Sequence, residues 1–259
     1  MKMEYCVISD IGRRRENNED NFYVNGMMRE RTEENYVEYD DCVEQDELLC
    51  AVFDGMGGEE YGELASLEAA KILGRYRNTD FQTLCEQYVD EANKSICDMM
   101  CTLHGGRMGS TLAVAYIKAG MLNICNLGDS PVYLLRNGVL QQISVNHNEA
   151  QSLYDMGIIT REQMRTCRQK NQLTQHLGIY EDELVIEPYC NGNIALQKDD
   201  YIMLCSDGLT DMIEDKELEN ICIEGSSIQM TTAHMIQTAL EHGGKDNITV
   251  LLVHMLTVS

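Results

Sequence analysis

The chain is short of proline and has no linker. Only Pro131 and Pro188 occur in 259 residues, and no proline-rich, low-complexity or repeated tract divides the sequence. A second domain has no boundary at which to begin, and 259 residues suit one large domain, 1–259, with a sizeable core. No apolar run reaches the ~18 residues that span a bilayer, and no basic-then-apolar leader opens the chain. These absences predict a cytoplasmic protein with no membrane segment. Basic residues are scarce: 20 lysines and arginines face 43 carboxylates, for a net charge of −23. That balance argues against nucleic-acid backbones and anionic membranes as partners. It suits a chain that collects cations, or one with a solvated acidic surface. CxxC pairs are missing too. The 11 cysteines are odd in number and scattered, and Cys6, Cys50, Cys125 and Cys205 lie in apolar runs where a thiol packs as a small hydrophobe. The pattern predicts a reducing compartment, no disulfide framework and no zinc cage.

What is present is mostly β-patterned. Strands are expected over 3–9 and 20–25, separated by a polar loop, 10–20, that carries both signs of charge. Residues 26–47 are acidic and weakly patterned, and read as an exposed hairpin or loop. An apolar strand, 48–53, leads into Asp54, with a tight glycine turn through Gly58. Helices are expected over about 60–77 and 81–103. In the second, Phe81, Leu84, Cys85, Tyr88, Val89, Ala92, Ile96 and Met99 keep helical spacing. Strands 110–119 and 121–127 meet around Gly120, and Asn137-Gly138 marks a hairpin between 132–136 and 139–144. The segment 147–178 is polar with short helical pieces. Strands are expected at 184–189 and 201–205, a helix at 227–242 and a last strand at 247–255. Hairpins without βαβ alternation indicate an α+β domain of antiparallel sheets with segregated helices.

One pattern recurs. An apolar strand ends in aspartate plus a small residue at Asp54-Gly55, Asp129-Ser130 and Asp207-Gly208, and Asp246 stands just before the final strand. Adjacent strands of one sheet could bring these ends together. Converging carboxylates repel unless a cation neutralises them. An oxygen-only set suits Mg²⁺ or Mn²⁺ rather than Zn²⁺. Two readings stand at this level: a metal cradle, or four unrelated turn aspartates. Arg13, Arg14 and Arg15 are either a solvated basic turn or a phosphate-holding group beside it.

The order of motifs resembles the type-2C (PPM) family of metal-dependent serine/threonine phosphatases, in its compact bacterial form. The resemblance rests on Gly12-x-x-Arg15-x-Asn17-Asn18-Glu19-Asp20, on Val52–Gly58 followed by Gly62-Glu63-x-Ala65-Ser66, and on Gly109–Leu112. It continues through Asn126–Ser130, Leu204–Asp211 and Asp246–Val250, so it covers nearly the whole chain. It implies a four-layer αββα fold, a central antiparallel β-sandwich flanked by helices. It implies two Mn²⁺ or Mg²⁺ ions, with a third site. By motif position Asp54 bridges two ions, and Gly55 offers its carbonyl. Asp207 and Asp246 complete one shell, and Asp20, with Glu19, acts through bound waters. Asp129, with Asp207, matches the third position, and Arg15 grips the substrate phosphate. The implied reaction is attack of a metal-bridging hydroxide on phosphoserine or phosphothreonine. Segment 146–178 falls where such enzymes carry a flap. The implied partners are phosphoprotein substrates and a cognate serine/threonine kinase, and the chain is expected to act as a monomer.

The chain departs from the family pattern in places. Met56 stands where many relatives have a histidine proposed as general acid, which leaves a metal-bound water as the expected proton donor. Pro131 replaces an arginine, Asn146-His147 an Asp-His pair, and Gln175 the arginine of Leu-Thr-Arg. His147 reads as a structural hydrogen-bonder. Two alternatives accompany the main reading: a phosphatase of a phosphorylated anti-sigma-antagonist protein, and a non-catalytic partner-binding member. The first is disfavoured by Arg15 and the second by the intact aspartates.

Overall fold

The computed structural model describes residues 1–57, 61–103 and 106–258; the expected roles of Gly58 and of Glu60 as a helix start lie outside the described residues. In chain order the strands are β1 (Lys2–Asp10), β2 (Asn21–Val24), β3 (Met27–Met28), β4 (Tyr36–Glu44), β5 (Glu47–Phe53), β6 (Gly55–Gly57) and β7 (Met108–Ser110). They continue as β8 (Leu112–Lys118), β9 (Met121–Leu127), β10 (Val132–Arg136), β11 (Val139–Gln142), β12 (Tyr189–Ala195), β13 (Tyr201–Cys205) and β14 (Ile248–Thr257). The helices are α1 (Gly62–Leu73), α2 (Phe81–Thr83), α3 (Val89–Thr102), α4 (Glu149–Asp155), α5 (Arg161–Thr166), α6 (Asp207–Thr210), α7 (Asp215–Glu224) and α8 (Ile228–Glu241). A π-helical turn, Leu84–Tyr88, joins α2 to α3.

The strands form two six-stranded antiparallel sheets, in the orders β11-β10-β13-β14-β1-β4 and β12-β9-β8-β5-β2-β3. Their facing sides share one apolar layer that includes Val7, Val52, Ala115, Ile124, Leu204 and Leu251. Helices α1 and α3 cover the outer side of the second sheet through Ala69, Leu73, Ala92 and Ile96. Helices α7 and α8 cover the first through Leu218, Ile221, Met235 and Ala239. This is the expected αββα sandwich. The pure Ile-Thr-Val-Leu-Leu-Val run of β14 follows from its place. It lies between β13 and β1 with packed layers on both faces, so every residue from Ile248 to Val253 is buried. Helix α8 opens on Ser227, whose side chain accepts from the Met230 N–H, an N-cap typically worth about 1 kcal/mol.

Four expectations need correction. Residues 26–47 are not simply a hairpin or loop: they contain β4, a nine-residue edge strand paired along the whole of β1. It escaped the hydrophobic pattern because its carboxylates, Glu38, Asp40, Asp41 and Glu44, point into solvent. Charges of this kind guard a sheet edge against further pairing. The strand placed at 184–189 begins only at Tyr189, and Leu184 and Val185 are exposed. The stretch after Asp54 is not only a tight turn, since β6 pairs with β7 in a small ribbon. Helix α7 was not anticipated, although Leu218, Ile221 and Cys222 mark a narrow buried stripe among polar residues. No helix among the described residues is long and apolar enough to cross a membrane.

Candidate active site

Five aspartates gather where strands of both sheets end. Asp20 precedes β2, Asp54 follows β5 and Asp129 follows the turn after β9, all in the second sheet. Asp207 opens α6 just after β13, and Asp246 precedes β14, both in the first sheet. The carboxylates therefore converge across the sandwich rather than along neighbouring strands of one sheet. Packing of the two sheets, which no local pattern encodes, makes the cluster.

Its electrostatics are unfavourable by themselves. Burial and the negative charge of Asp20, Asp207, Asp129 and Asp246 push the Asp54 carboxyl well above the usual carboxylate range. Asp129 is raised likewise by burial, then by Asp207 and Asp211. Burial raises Asp20 to about 7. Burial, with Asp211, Asp246 and Asp20 adding, does the same to Asp207, again to about 7. Asp20 Oδ2 accepts a 2.7 Å hydrogen bond from Ser206 Oγ, whereas its Oδ1 is buried with no hydrogen-bond partner. An orphaned carboxylate oxygen among like charges, in a donor set made only of oxygen, fits a hard divalent cation.

The backbone leaves room for little else. A Cβ on Gly55 would lie 2.2 Å from the Gly62 carbonyl oxygen and 2.4 Å from that of Glu19. One on Gly208 would lie 1.9 Å from the Asn247 carbonyl oxygen. Both Asp-Gly pairs are thus glycine-specific because another chain segment presses against them. Asp54 is fixed from the other side by Thr111, whose Oγ1 accepts from the Asp54 N–H at 2.9 Å and whose N–H donates to the Asp54 carbonyl at 2.9 Å.

Polar side chains set the first loop. Asn247 Oδ1 accepts from the Glu19 N–H at 2.8 Å, and its Nδ2 donates to the carbonyls of Ile11 and Asn17, each at 2.9 Å. Ser206 Oγ, which holds Asp20, accepts in turn from the Thr249 N–H at 3.0 Å. Arg29 is the residue that sequence reasoning missed. It lies in the segment read as exposed, yet it is only 1% accessible. Its guanidinium donates to the carbonyls of Asn18 and Asp20, each at 2.6 Å, and to three carbonyls in the loop after β3. A lone arginine in an acidic, loop-like stretch gives no signal of this.

Arg15 lies at the rim, half exposed, and its Nη2 donates to Asp246 Oδ2 at 2.6 Å. The fold thus brings Arg15, Asp20, Asp54, Gly55, Asp129, Asp207 and Asp246 to one place. Asp211 joins them. It shares a cavity of about 420 Å³ with Asp129 and Asp207, and Lys170 Nζ donates to its Oδ1 at 2.6 Å. The spacing Asp207-x-x-x-Asp211, one helical turn, is the signal that could have found it. Arg161, Arg165 and Lys170, from the 146–178 segment, line the far wall of that cavity. His147 is a structural hydrogen-bonder as expected: its Nδ1 accepts from the Gly128 N–H at 3.1 Å, and burial lowers its pKa.

An αββα sandwich with an oxygen-only carboxylate cluster between its sheet ends defines the class of metal-dependent protein phosphatases. The model of the family described as protein phosphatase 2C matches residues 33–252, and the chain belongs to that family. It is 32% identical to the serine/threonine phosphatase stp of Listeria welshimeri over 239 residues, covering 88% of this chain and 92% of that protein. It is 32% identical to protein phosphatase PhpP of Streptococcus pneumoniae over 262 residues, covering 98% of each. A solved catalytic domain of the serine/threonine protein phosphatase PstP, in complex with two manganese ions, superposes with a TM-score of 0.77 at 27% identity. That match covers 99% of this chain and all of that one.

Proposed function

We propose that the aspartate cluster is the catalytic centre of a serine/threonine protein phosphatase, with Asp20, Asp54, Asp129, Asp207 and Asp246 as the side chains that hold its metal ions. The activity is that of the family, hydrolysis of phosphoserine and phosphothreonine in proteins. The observation that carries the site assignment is the convergence of these carboxylates on Asp54, whose carboxyl is held well above the usual range by burial and by their negative charge. Mn²⁺ or Mg²⁺ fits the donor set, two ions with a third position at Asp129, Asp207 and Asp211. When bound, such ions generate a hydroxide near neutral pH and neutralise charge on phosphoryl oxygens.

The chain's own residues do the rest. Asp54 and Asp207 supply negative charge on two sides of the cluster, and Gly55 brings backbone carbonyl rather than side chain. Arg15 presents a planar fork suited to two phosphoryl oxygens at the rim. Its pairing with Asp246 keeps that fork at the site while no phosphate occupies it. Arg161, Arg165 and Lys170 place positive charge beside the acidic wall, and we assign 146–178 as a flap over the substrate. Met56 has no proton to give the departing serine or threonine oxygen, and we assign that role to water held in the site.

We extend the reading to one domain spanning the chain, acting in the cytoplasm as a monomer on phosphoproteins, with a serine/threonine kinase as its counterpart. Relatives named serine/threonine phosphatase stp and protein phosphatase PhpP favour this over an anti-sigma-antagonist substrate. The test is hydrolysis of a phosphothreonine peptide with and without Mn²⁺. Activity should require the metal and vanish in Asp207→Ala. If Mn²⁺-loaded protein hydrolyses neither the peptide nor an aryl phosphate, the reading fails.

A further inference from the structure

The sequence predicts no disulfide framework and no zinc cage; the fold gathers three of the scattered thiols into a cluster. Cys85, Cys125 and Cys190 are far apart in the chain, and their Sγ atoms all lie within 4.8 Å of one another. Two are cross-strand neighbours: Cys125 on β9 stands opposite Cys190 on β12. The third comes from the π-helical turn Leu84–Tyr88, which packs onto that face of the sheet. Cys125 is fully enclosed and Cys85 nearly so, while Cys190 is exposed. Cys85 and Cys190 also line a groove of about 1140 Å³ with Phe81, Val89, Ile186 and Pro188, which shares no residue with the carboxylate cavity.

We propose that Cys85, Cys125 and Cys190 form a three-thiolate site for a soft metal ion, the cuprous ion, reached from the groove through Cys190. The geometry suits it. Three sulfurs, each about 2.3 Å from a central ion, stand about 4 Å apart when the ion lies in their plane. The three Sγ atoms all lie within 4.8 Å of one another, a spacing from which rotamer changes can close such a triangle. The ligand chemistry selects the ion. Thiolates favour soft cations over Mg²⁺ or Mn²⁺. Zinc takes four ligands in tetrahedral sites, and no fourth histidine, cysteine or carboxylate joins this cluster among the described residues. Each thiol that ligates gives up its proton to solvent, so binding strengthens with pH. The site joins a helical turn to the edge strand of the second sheet, and an ion there stabilises the fold by mass action.

The test is anaerobic titration of the full, reduced, metal-free chain with Cu(I), buffered by bicinchoninate. One ion per chain should bind, with thiolate-to-copper charge-transfer absorption. X-ray absorption should show three sulfurs at about 2.3 Å. Cys190→Ser is the informative variant, because an exposed side chain is replaced and folding is undisturbed. It should weaken binding by more than the roughly 10–100-fold that outer-shell changes cost, with Mn²⁺-dependent phosphatase activity unchanged. The proposal is overturned if Cu(I) stays with the competitor or if Cys190→Ser binds as tightly as the parent chain. It is equally overturned if the cluster takes Zn²⁺ but not Cu(I), or if mass spectrometry finds only a Cys125–Cys190 disulfide.

Discussion

Arg15 Nη2 donates to Asp246 Oδ2 across 2.6 Å, so the candidate phosphate-gripping side chain and a candidate metal ligand hold each other at the rim. The pair is about half exposed, so by itself it contributes little to stability. Its consequence is positional. The guanidinium is kept within reach of any phosphate that approaches the carboxylate cluster.

Replacing Arg15 should therefore act on substrate rather than on fold. Arg15→Ala should lower kcat/KM on a phosphopeptide by roughly 10–100-fold, the scale of one or two charge-assisted hydrogen bonds. Its melting temperature should match that of the parent. Arg15→Lys should recover only part of the loss, because an ammonium cannot reproduce the fork. Steady-state kinetics and thermal melts on the three proteins decide it; equal kcat/KM for lysine and arginine would refute the bidentate role.

Removing a charge from the cluster should have opposite effects on activity and on apo stability. Asp54→Asn deletes one of five mutually repelling carboxylates. In EDTA the variant should melt higher than the parent, since an unpaired buried charge is costly. In Mn²⁺ the order should reverse, because the parent gains binding energy and the variant gains less. Melting curves in both buffers check this, alongside loss of phosphatase activity.

The metal-free protein should lose stability as pH rises from about 4 towards 7 on account of Asp20 and Asp207. Burial raises both carboxyls to about 7, above their ordinary value of 3.8. The folded state then binds more protons than the unfolded state between those values. The contribution is fully present below the unfolded pKa and lost as pH rises through the folded one. Cations bind the ionised form, so the gain in melting temperature from Mn²⁺ should be larger at pH 8 than at pH 5.5. A gain that shrinks with pH would contradict the assignment.

Arg29 should be a stability residue with a secondary effect on metal binding. Arg29→Ala strands several buried carbonyls, each costing about 1–3 kcal/mol, and leaves the Asp20 backbone without its clamp. A loss of at least about 3 kcal/mol in denaturant unfolding is expected. The weaker Mn²⁺ affinity that accompanies it is measurable by calorimetry at a temperature where the variant remains folded.

Lys170 neutralises part of the acidic wall at Asp211. Lys170→Ala should lower the Mn²⁺ concentration at which the weakest ion saturates, by a factor of a few, the scale of one partly screened charge pair. Activity against Mn²⁺ concentration checks it, and an unchanged half-saturation would rule out a link between Lys170 and that position.

Much of the fold and the site was written in local chemistry. The alternation and runs of the strands, the Asn137-Gly138 hairpin and the Asp-plus-small-residue strand ends follow from side-chain period and glycine sterics. The motif order then assigned Asp54 and its companions to one site. The tertiary structure decided what local pattern cannot hold. The carboxylates arrive from opposite sheets, so their convergence exists only once the sandwich closes. Arg29 is buried because two loops wrap its guanidinium, although Glu30 and Arg31 beside it in sequence are charged and exposed. Edge strand β4 pairs through its backbone, which its acidic side chains do not announce. Cys85, Cys125 and Cys190 meet because a π turn lands on two paired strands. For the carboxylates, Arg29 and the thiols the physical reason is the same: long-range packing sets which groups lose water together, and that loss gives an aspartate, an arginine or a thiol its chemistry.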